Sequence, residues 1–124
     1  LKETADIRNL VFLSHAGAGK TSLAEAMLYT AKAVDRLGRI EEGTTALDFE
    51  PQEASRQMSL NLSAATFDWK GVLINLLDAP GYFDFVGDAL AACRVADSSL
   101  ILVDATMGTE PGTERMWECA ERNG

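Results

Sequence analysis

Ser14-His15-Ala16-Gly17-Ala18-Gly19-Lys20-Thr21 is the stretch whose reading decides the fold. It lies between an apolar run with the character of a strand, Ile7 to Leu13, and a stretch with helical periodicity, Ser22 to Val34. Strand, glycine-containing turn, Gly-Lys-Thr and helix form the context of a phosphate-binding loop. Successive backbone N–H groups curl into an anion-sized nest, backed by the partial positive charge of the helix N-terminus. Gly17 and Gly19 let the backbone approach phosphate oxygens with no Cβ in the way. Lys20 would reach the terminal phosphates and the Thr21 hydroxyl would ligate Mg²⁺. The usual pattern begins with Gly, where this chain has Ser14. A glycine-rich turn before an ordinary helix is the plainer alternative. Against it, a lysine in the first helical turn faces the wrong end of the helix dipole at a cost of about 0.3–1 kcal/mol, which a bound anion reverses.

The chain has 124 residues, 47% of them hydrophobic and 24% charged. That is the composition of one ordinary globular domain with a real core. A net charge of −8 argues against a general nucleic-acid footprint or a polybasic membrane patch. Any phosphate must then be held locally. Cys93 and Cys119 have no metal-ligand spacing and fall on expected helices, so they read as buried free thiols. No segment has the length of a membrane span, and Leu1-Lys2-Glu3 does not begin a signal peptide. A cytoplasmic location and a monomer are the expectations. The absence of an initiating Met and the stop at Asn123-Gly124 suggest an excerpt of a longer chain.

Outward from the loop, Leu23, Met27, Ala31 and Val34 recur at helical spacing, and that helix fades near Leu37-Gly38. Residues 39–59 show no period, which in a compact domain marks a functional or disordered loop. Leu60, Leu62 and Ala64 alternate with polar residues before the phase shifts to Ala65, Phe67 and Trp69, so a strand with a bulge is expected. Lys70-Gly71 turns the chain into a central, buried strand, Val72 to Leu77. That strand ends in Asp78-Ala79-Pro80-Gly81, where open α/β sheets bind ligands. A helix follows with Val86, Ala89, Leu90 and Cys93 on one face, then a buried strand, Leu100 to Val103, closed by Asp104. Thr109 is expected to cap the last helix, with Pro111 in its first turn and Met116, Trp117 and Ala120 inward. The order predicts an α/β domain with a mostly parallel sheet, helices on both faces and one antiparallel edge strand.

Two strand ends then share one explanation. Ser14–Thr21 supplies a phosphate cradle and one Mg²⁺ ligand; Asp78-x-x-Gly81 supplies an acidic group for the same metal and a backbone N–H for the terminal phosphate. This is the layout of a phosphoryl-transfer site.

With these residues in place, the sequence resembles the GTP-binding domain of translational GTPases, most closely elongation factor G and its elongation-factor-G-like relatives. Ile7-Arg8-Asn9 leading to His15-x-x-Ala18-Gly19-Lys20-Thr21 looks like that family's first motif. Gly38-x-Ile40-x-Glu42-Gly43 with Leu47-Asp48-Phe49 looks like its first switch, and Asp78-Ala79-Pro80-Gly81-Tyr82-x-Asp84-Phe85 like its second. Gly108-Thr109-Glu110-Pro111 is similar to the segment after the fourth strand. The resemblance implies a Ras-like, P-loop NTPase fold of three α/β/α layers over residues 1–124, cut before the Asn-Lys-x-Asp motif that reads guanine. It implies switches at about 39–59 and 78–88.

The resemblance further implies that GTP or GDP lies on residues 14–21 and 78–82, that Mg²⁺ is held by Thr21, Ser59 and, through water, Asp78, and that the full-length protein works with the ribosome. Four departures stand out. Gly17 replaces an Asp usual in elongation factors, Gln57-Met58-Ser59 replaces Gly-Ile-Thr, and Tyr82 stands where the family has the His that positions the attacking water. The base-reading motif is the fourth, being absent from these residues. A phenol with a pKa of about 10 is a poor proton acceptor beside imidazole, though it can orient a water. The expected activity is ribosome-stimulated GTP hydrolysis. The competing readings are a nucleotide-dependent binding switch that hardly hydrolyses, and a relative similar to peptide-release-factor 3 or a ribosome-protection protein.

Overall fold

A computed structural model of the chain describes residues 2–47, 62–81 and 86–123. Four strands, β1 (Ile7–Ser14), β2 (Ser63–Trp69), β3 (Val72–Asp78) and β4 (Ser98–Leu102), form one sheet in the order β2-β3-β1-β4. β1 pairs in parallel with both β3 and β4, and β2 is the antiparallel edge. Among the described residues three α-helices accompany them: α1 (Lys20–Thr30), α2 (Val86–Val95) and α3 (Pro111–Asn123).

The apolar run of β1 is continuous because both of its faces are covered. Leu10 and Phe12 turn to one side, where Ala24 and Leu28 of α1, Phe67 and Leu76 make a core. Val11 and Leu13 turn to the other, against Ala89, Ala92 and Cys93 of α2 and Met116 and Cys119 of α3. The result is the three-layer, mostly parallel arrangement expected from the sequence. Cys93 and Cys119 are buried thiols not joined as a disulfide, as expected. Cys119 donates its S–H to Cys93 Sγ at 2.9 Å. Burial first, and that hydrogen bond second, push the Cys93 thiol up to about 12.

The structure corrects several local expectations. Helix α1 begins at Lys20 and stops at Thr30, short of Val34. Lys32 adopts φ 58, and the N–H groups of Lys32 and Ala33 close back on Tyr29 and Leu28 carbonyls at 3.0 and 2.9 Å. This is a Schellman stop with lysine in the position usually held by glycine. Ala31 and Val34 still pack on the α1 core, so the periodicity located the packing and overstated the helix. The β2–β3 register runs unbroken from Ser63↔Asp78 to Trp69↔Val72, with no bulge. The apparent phase shift arises because Leu62 packs on one core and Ala65 and Phe67 on the other. Lys70 and Gly71 both have positive φ, 52° and 92°, the pairing a two-residue hairpin turn requires.

The fourth strand starts at Ser98 and is not buried: Leu100 is 41% exposed, and Val103, past its end, 46%. It is the outer strand of the described sheet, which sequence alone did not place. Trp117 and Leu90 also lie outward, and the Trp117 indole N–H bonds Glu121. Thr113, Met116 and Cys119 fill the inner face of α3 instead. Thr109 does not cap that helix. The Glu110 N–H donates to Thr113 Oγ1 at 3.3 Å, one turn into the helix.

Candidate functional site

The parallel strands β1, β3 and β4 end at one edge of the sheet, and the segments that follow them meet there. Phe12 lies opposite Asp78 in the register, so the loop after β1 and the segment after β3 leave side by side. Gly17 and Gly19 take φ 81° and 91°, left-handed values that cost a residue with a Cβ about 1–2 kcal/mol. Gly19 is the N-cap of α1, and Lys20 and Thr21 open the helix. The Ala18 N–H turns back to the His15 carbonyl at 3.4 Å, closing the loop on itself.

Lys20 folds inward and is only 7% exposed. Its ammonium donates to Ser14 Oγ at 2.8 Å, and that hydroxyl donates on to the His15 carbonyl at 2.6 Å. Ser14, at the position where the usual pattern has Gly, thus gives the lysine a neutral oxygen. A phosphate oxygen in that role would set a negative charge against the same ammonium, a stronger partner than a neutral hydroxyl.

Thr21 Oγ1 donates to Asp78 Oδ2 at 2.8 Å, joining groups 57 residues apart. Both are buried, Asp78 completely. Ala79 and Pro80 are buried behind it, and the Ala79 N–H reaches the Phe12 carbonyl at 3.4 Å. Gly81 lies directly against the loop. A Cβ there would sit 2.7 Å from the Ala16 nitrogen and 2.8 Å from Lys20 Nζ. A threonine hydroxyl and a carboxylate, converging beside a buried ammonium, are oxygen ligands suited to a hard divalent cation that keeps waters and shares substrate phosphates.

His15 faces away from this centre. Its Nε2 is 3.7 Å from Glu110 Oε1, and its ring fills the space where a side chain at Gly112 would stand. The only histidine of the chain therefore braces the loop against the start of α3. Of the residues singled out from sequence, Ser14, Ala16 to Thr21 and Asp78 to Gly81 are brought together, with the His15 side chain turned away; Ser59 and Tyr82 lie outside the described residues.

Sequence reasoning missed Glu25. This carboxylate is 1% exposed on α1, one turn beyond Thr21. It accepts hydrogen bonds from the Gly38 N–H at 3.2 Å and from the Ala46 N–H. The available signal was an acidic residue on the apolar stripe, between Ala24 and Leu28.

The elongation factor Tu GTP-binding domain family matches residues 5–124. An elongation factor G-like protein of Mycobacterium tuberculosis is 41% identical over 116 residues, which are 93% of this chain and 16% of that protein. Elongation factor G 2 of Streptomyces coelicolor is 39% identical over 118 residues, 95% of this chain and 17% of that protein. A crystal structure from Thermus thermophilus superposes with a TM-score of 0.91 at 45% identity, covering 95% of this chain and 18% of that one. A bacterial selenocysteine-specific elongation factor superposes at 0.73 with 23% identity over 92% of this chain and 17% of that one, a likeness of fold. The chain thus spans about a sixth of the length of these curated relatives. Its fold is that of a P-loop GTPase, and the chain belongs to the elongation factor Tu GTP-binding domain family.

Proposed function

We propose that this chain is the phosphate- and Mg²⁺-binding part of an elongation-factor-G-like translational GTPase, which hydrolyses GTP to GDP and phosphate as a ribosome-coupled conformational switch in the cytoplasm. The observation that carries the reading is the buried Thr21–Asp78 hydrogen bond of 2.8 Å beside the Lys20 ammonium. The chemistry of the residues, with the family resemblance for Ser59 and Tyr82, supports the roles. Backbone N–H groups of the 14–21 loop and the Lys20 ammonium would bind the β- and γ-phosphates; Thr21 Oγ1 and, through water, Asp78 would hold the metal, with Ser59 as a further ligand. Mg²⁺ held there would supply charge neutralisation to the transferring phosphate. Gly81 brings its backbone N–H to the γ-phosphate, at a position where the loop leaves no room for a side chain. Segments 39–59 and 78–88 are the two switches of this reading, and Tyr82 stands by the attacking water.

Tyr82 decides between hydrolysis and a switch that only binds. The test is ribosome-stimulated GTP turnover of the full-length protein, compared with its Tyr82→His variant. Good turnover by the natural protein, with nothing gained from histidine, supports the enzyme. Little turnover with Tyr82, raised about 10²-fold or more by histidine, makes the protein a binding switch in its natural form. Failure of the full-length protein to bind GTP at all would overturn both.

A further inference from the structure

Among the described residues, the phosphate-site chemistry leaves one buried acidic group without a role, the Glu25 carboxylate. Thr21 and Glu25 are four residues apart on α1, so they share one face of that helix. Thr21 reaches Asp78; Glu25 reaches the other way, into the segment that follows the helix. Its Oε2 takes the Gly38 N–H and its Oε1 takes the Ala46 N–H, so one carboxylate ties together two main-chain points eight residues apart. Contact at Gly38 is tight enough to exclude any side chain. A Cβ there would lie 2.6 Å from Glu25 Oε2, 2.6 Å from the Thr44 carbonyl and 2.7 Å from Thr45 Cα. Within the clasp, the Arg39 N–H bonds Thr44 Oγ1 at 3.0 Å. Just past it, Leu47 is 2% exposed in the α1 core, and its carbonyl accepts the Ser63 hydroxyl at 2.9 Å. Residues 38–46 are thus fastened, through one side chain, to the same rigid helix that carries Lys20 and Thr21.

We propose that Glu25 is a positioning residue that couples occupation of the phosphate loop to the 38–46 segment. A ligand that steadies Lys20 and Thr21 steadies the first turns of α1, and Glu25 passes that order to the Gly38 and Ala46 amides. Linkage makes the effect reciprocal: whatever order the ligand imposes on 38–46 through Glu25 is returned as ligand affinity. The proposal rests on the phosphate-site reading above and adds to it a route out of the site.

Hydrogen exchange on the full-length protein tests it, with and without Mg²⁺ plus guanosine 5′-(β,γ-imido)triphosphate, following 16–20 and the amides of Gly38 and Ala46. In the natural protein the nucleotide slows exchange at both places, by about tenfold or more. Glu25→Gln keeps the shape and loses one acceptor oxygen; the response at 16–20 persists, while that at Gly38 and Ala46 falls to within about twofold of the nucleotide-free protein. The KM for GTP rises about five- to tenfold with kcat retained. Glu25→Asp withdraws the carboxylate by one methylene with its charge kept and reproduces the loss, which keeps the test open should Glu25→Gln fail to fold. A merely structural carboxylate would instead speed exchange everywhere, whether or not nucleotide is present. Equal nucleotide responses at Gly38 and Ala46 in natural and variant proteins would overturn the coupling. No response even at 16–20 in the natural protein would overturn the phosphate-site reading, and the coupling with it.

Discussion

Two aspartates stand at the carboxyl ends of the two parallel strands that flank β1, and they do different things. Asp78 ends β3, is fully buried, and accepts the hydroxyl of Thr21 from another element. Asp104 lies two residues past β4 and is partly exposed, and its partners are its own neighbours. Its Oδ1 accepts the Thr106 N–H at 2.7 Å and the Thr106 hydroxyl at 2.6 Å, while its carbonyl takes the Met107 and Gly108 N–H groups. That is a self-contained Asx-type turn, completed by Gly108 at φ 71°. A carboxylate at a strand end becomes part of a site when its partner arrives from elsewhere in the chain; bonded to the next two residues, it shapes a loop.

The largest expected effect lies on the Asp78 side, at Lys20. Lys20→Ala removes the buried ammonium that faces the loop. Losing one partner of a buried charge pair costs about 2–5 kcal/mol, so GTP and GDP affinity of the full-length protein should fall about 30-fold or more by titration calorimetry. A fall of less than about threefold would mean that phosphate is not held where Ser14 now holds the lysine. Next comes Asp78→Asn. An asparagine oxygen can still accept from Thr21, so the hydrogen bond survives while the charge goes. The Mg²⁺ concentration needed for half-maximal nucleotide binding should rise about 10–100-fold. An unchanged Mg²⁺ requirement would reduce Asp78 to a structural acceptor, no different in kind from Asp104.

Much of this contrast is legible in the sequence, because both motifs are local. Ser14 to Thr21 and Asp78 to Gly81 each carry their own glycines and follow an apolar run, and Asp104 precedes Gly108. The two-residue hairpin at Lys70-Gly71 is legible for the same reason. What escaped depends on neighbours distant in sequence or on an unusual residue in a common role. Lys32 ends α1 in a left-handed conformation that glycine would have announced. Leu100 is apolar enough for a buried strand, but its exposure follows from β4 being the outer strand of the described sheet, a fact of strand order. Trp117 has its indole N–H satisfied by Glu121 one turn on, so it can face outward while smaller residues pack α3. Glu25 escaped because its partners, Gly38 and Ala46, are main-chain groups 13 and 21 residues away. Periodicity says which face a residue occupies; it does not say which amides will come to meet it.

The smallest effect belongs to Asp104, and it tests the other half of the comparison. The Thr106 hydroxyl first, and the Thr106 N–H second, hold the Asp104 carboxyl below the usual carboxylate range. A folded-state pKa below the unfolded one stabilises the fold above the unfolded value, and the contribution is lost as pH falls through the folded value. In Asp104→Asn the amide oxygen keeps the turn's acceptor but cannot titrate. Nucleotide affinity should stay within about twofold of the natural protein, since the turn is bonded to its own neighbours and not to the phosphate site. The melting temperature should be slightly lower at neutral pH, and the difference should close as pH drops below the ordinary aspartate value of about 3.9. A gap that stays constant into that acid range would show that the charge of Asp104 adds nothing to its turn. A loss of nucleotide affinity would place Asp104 beside Asp78 in the site and end the distinction between them.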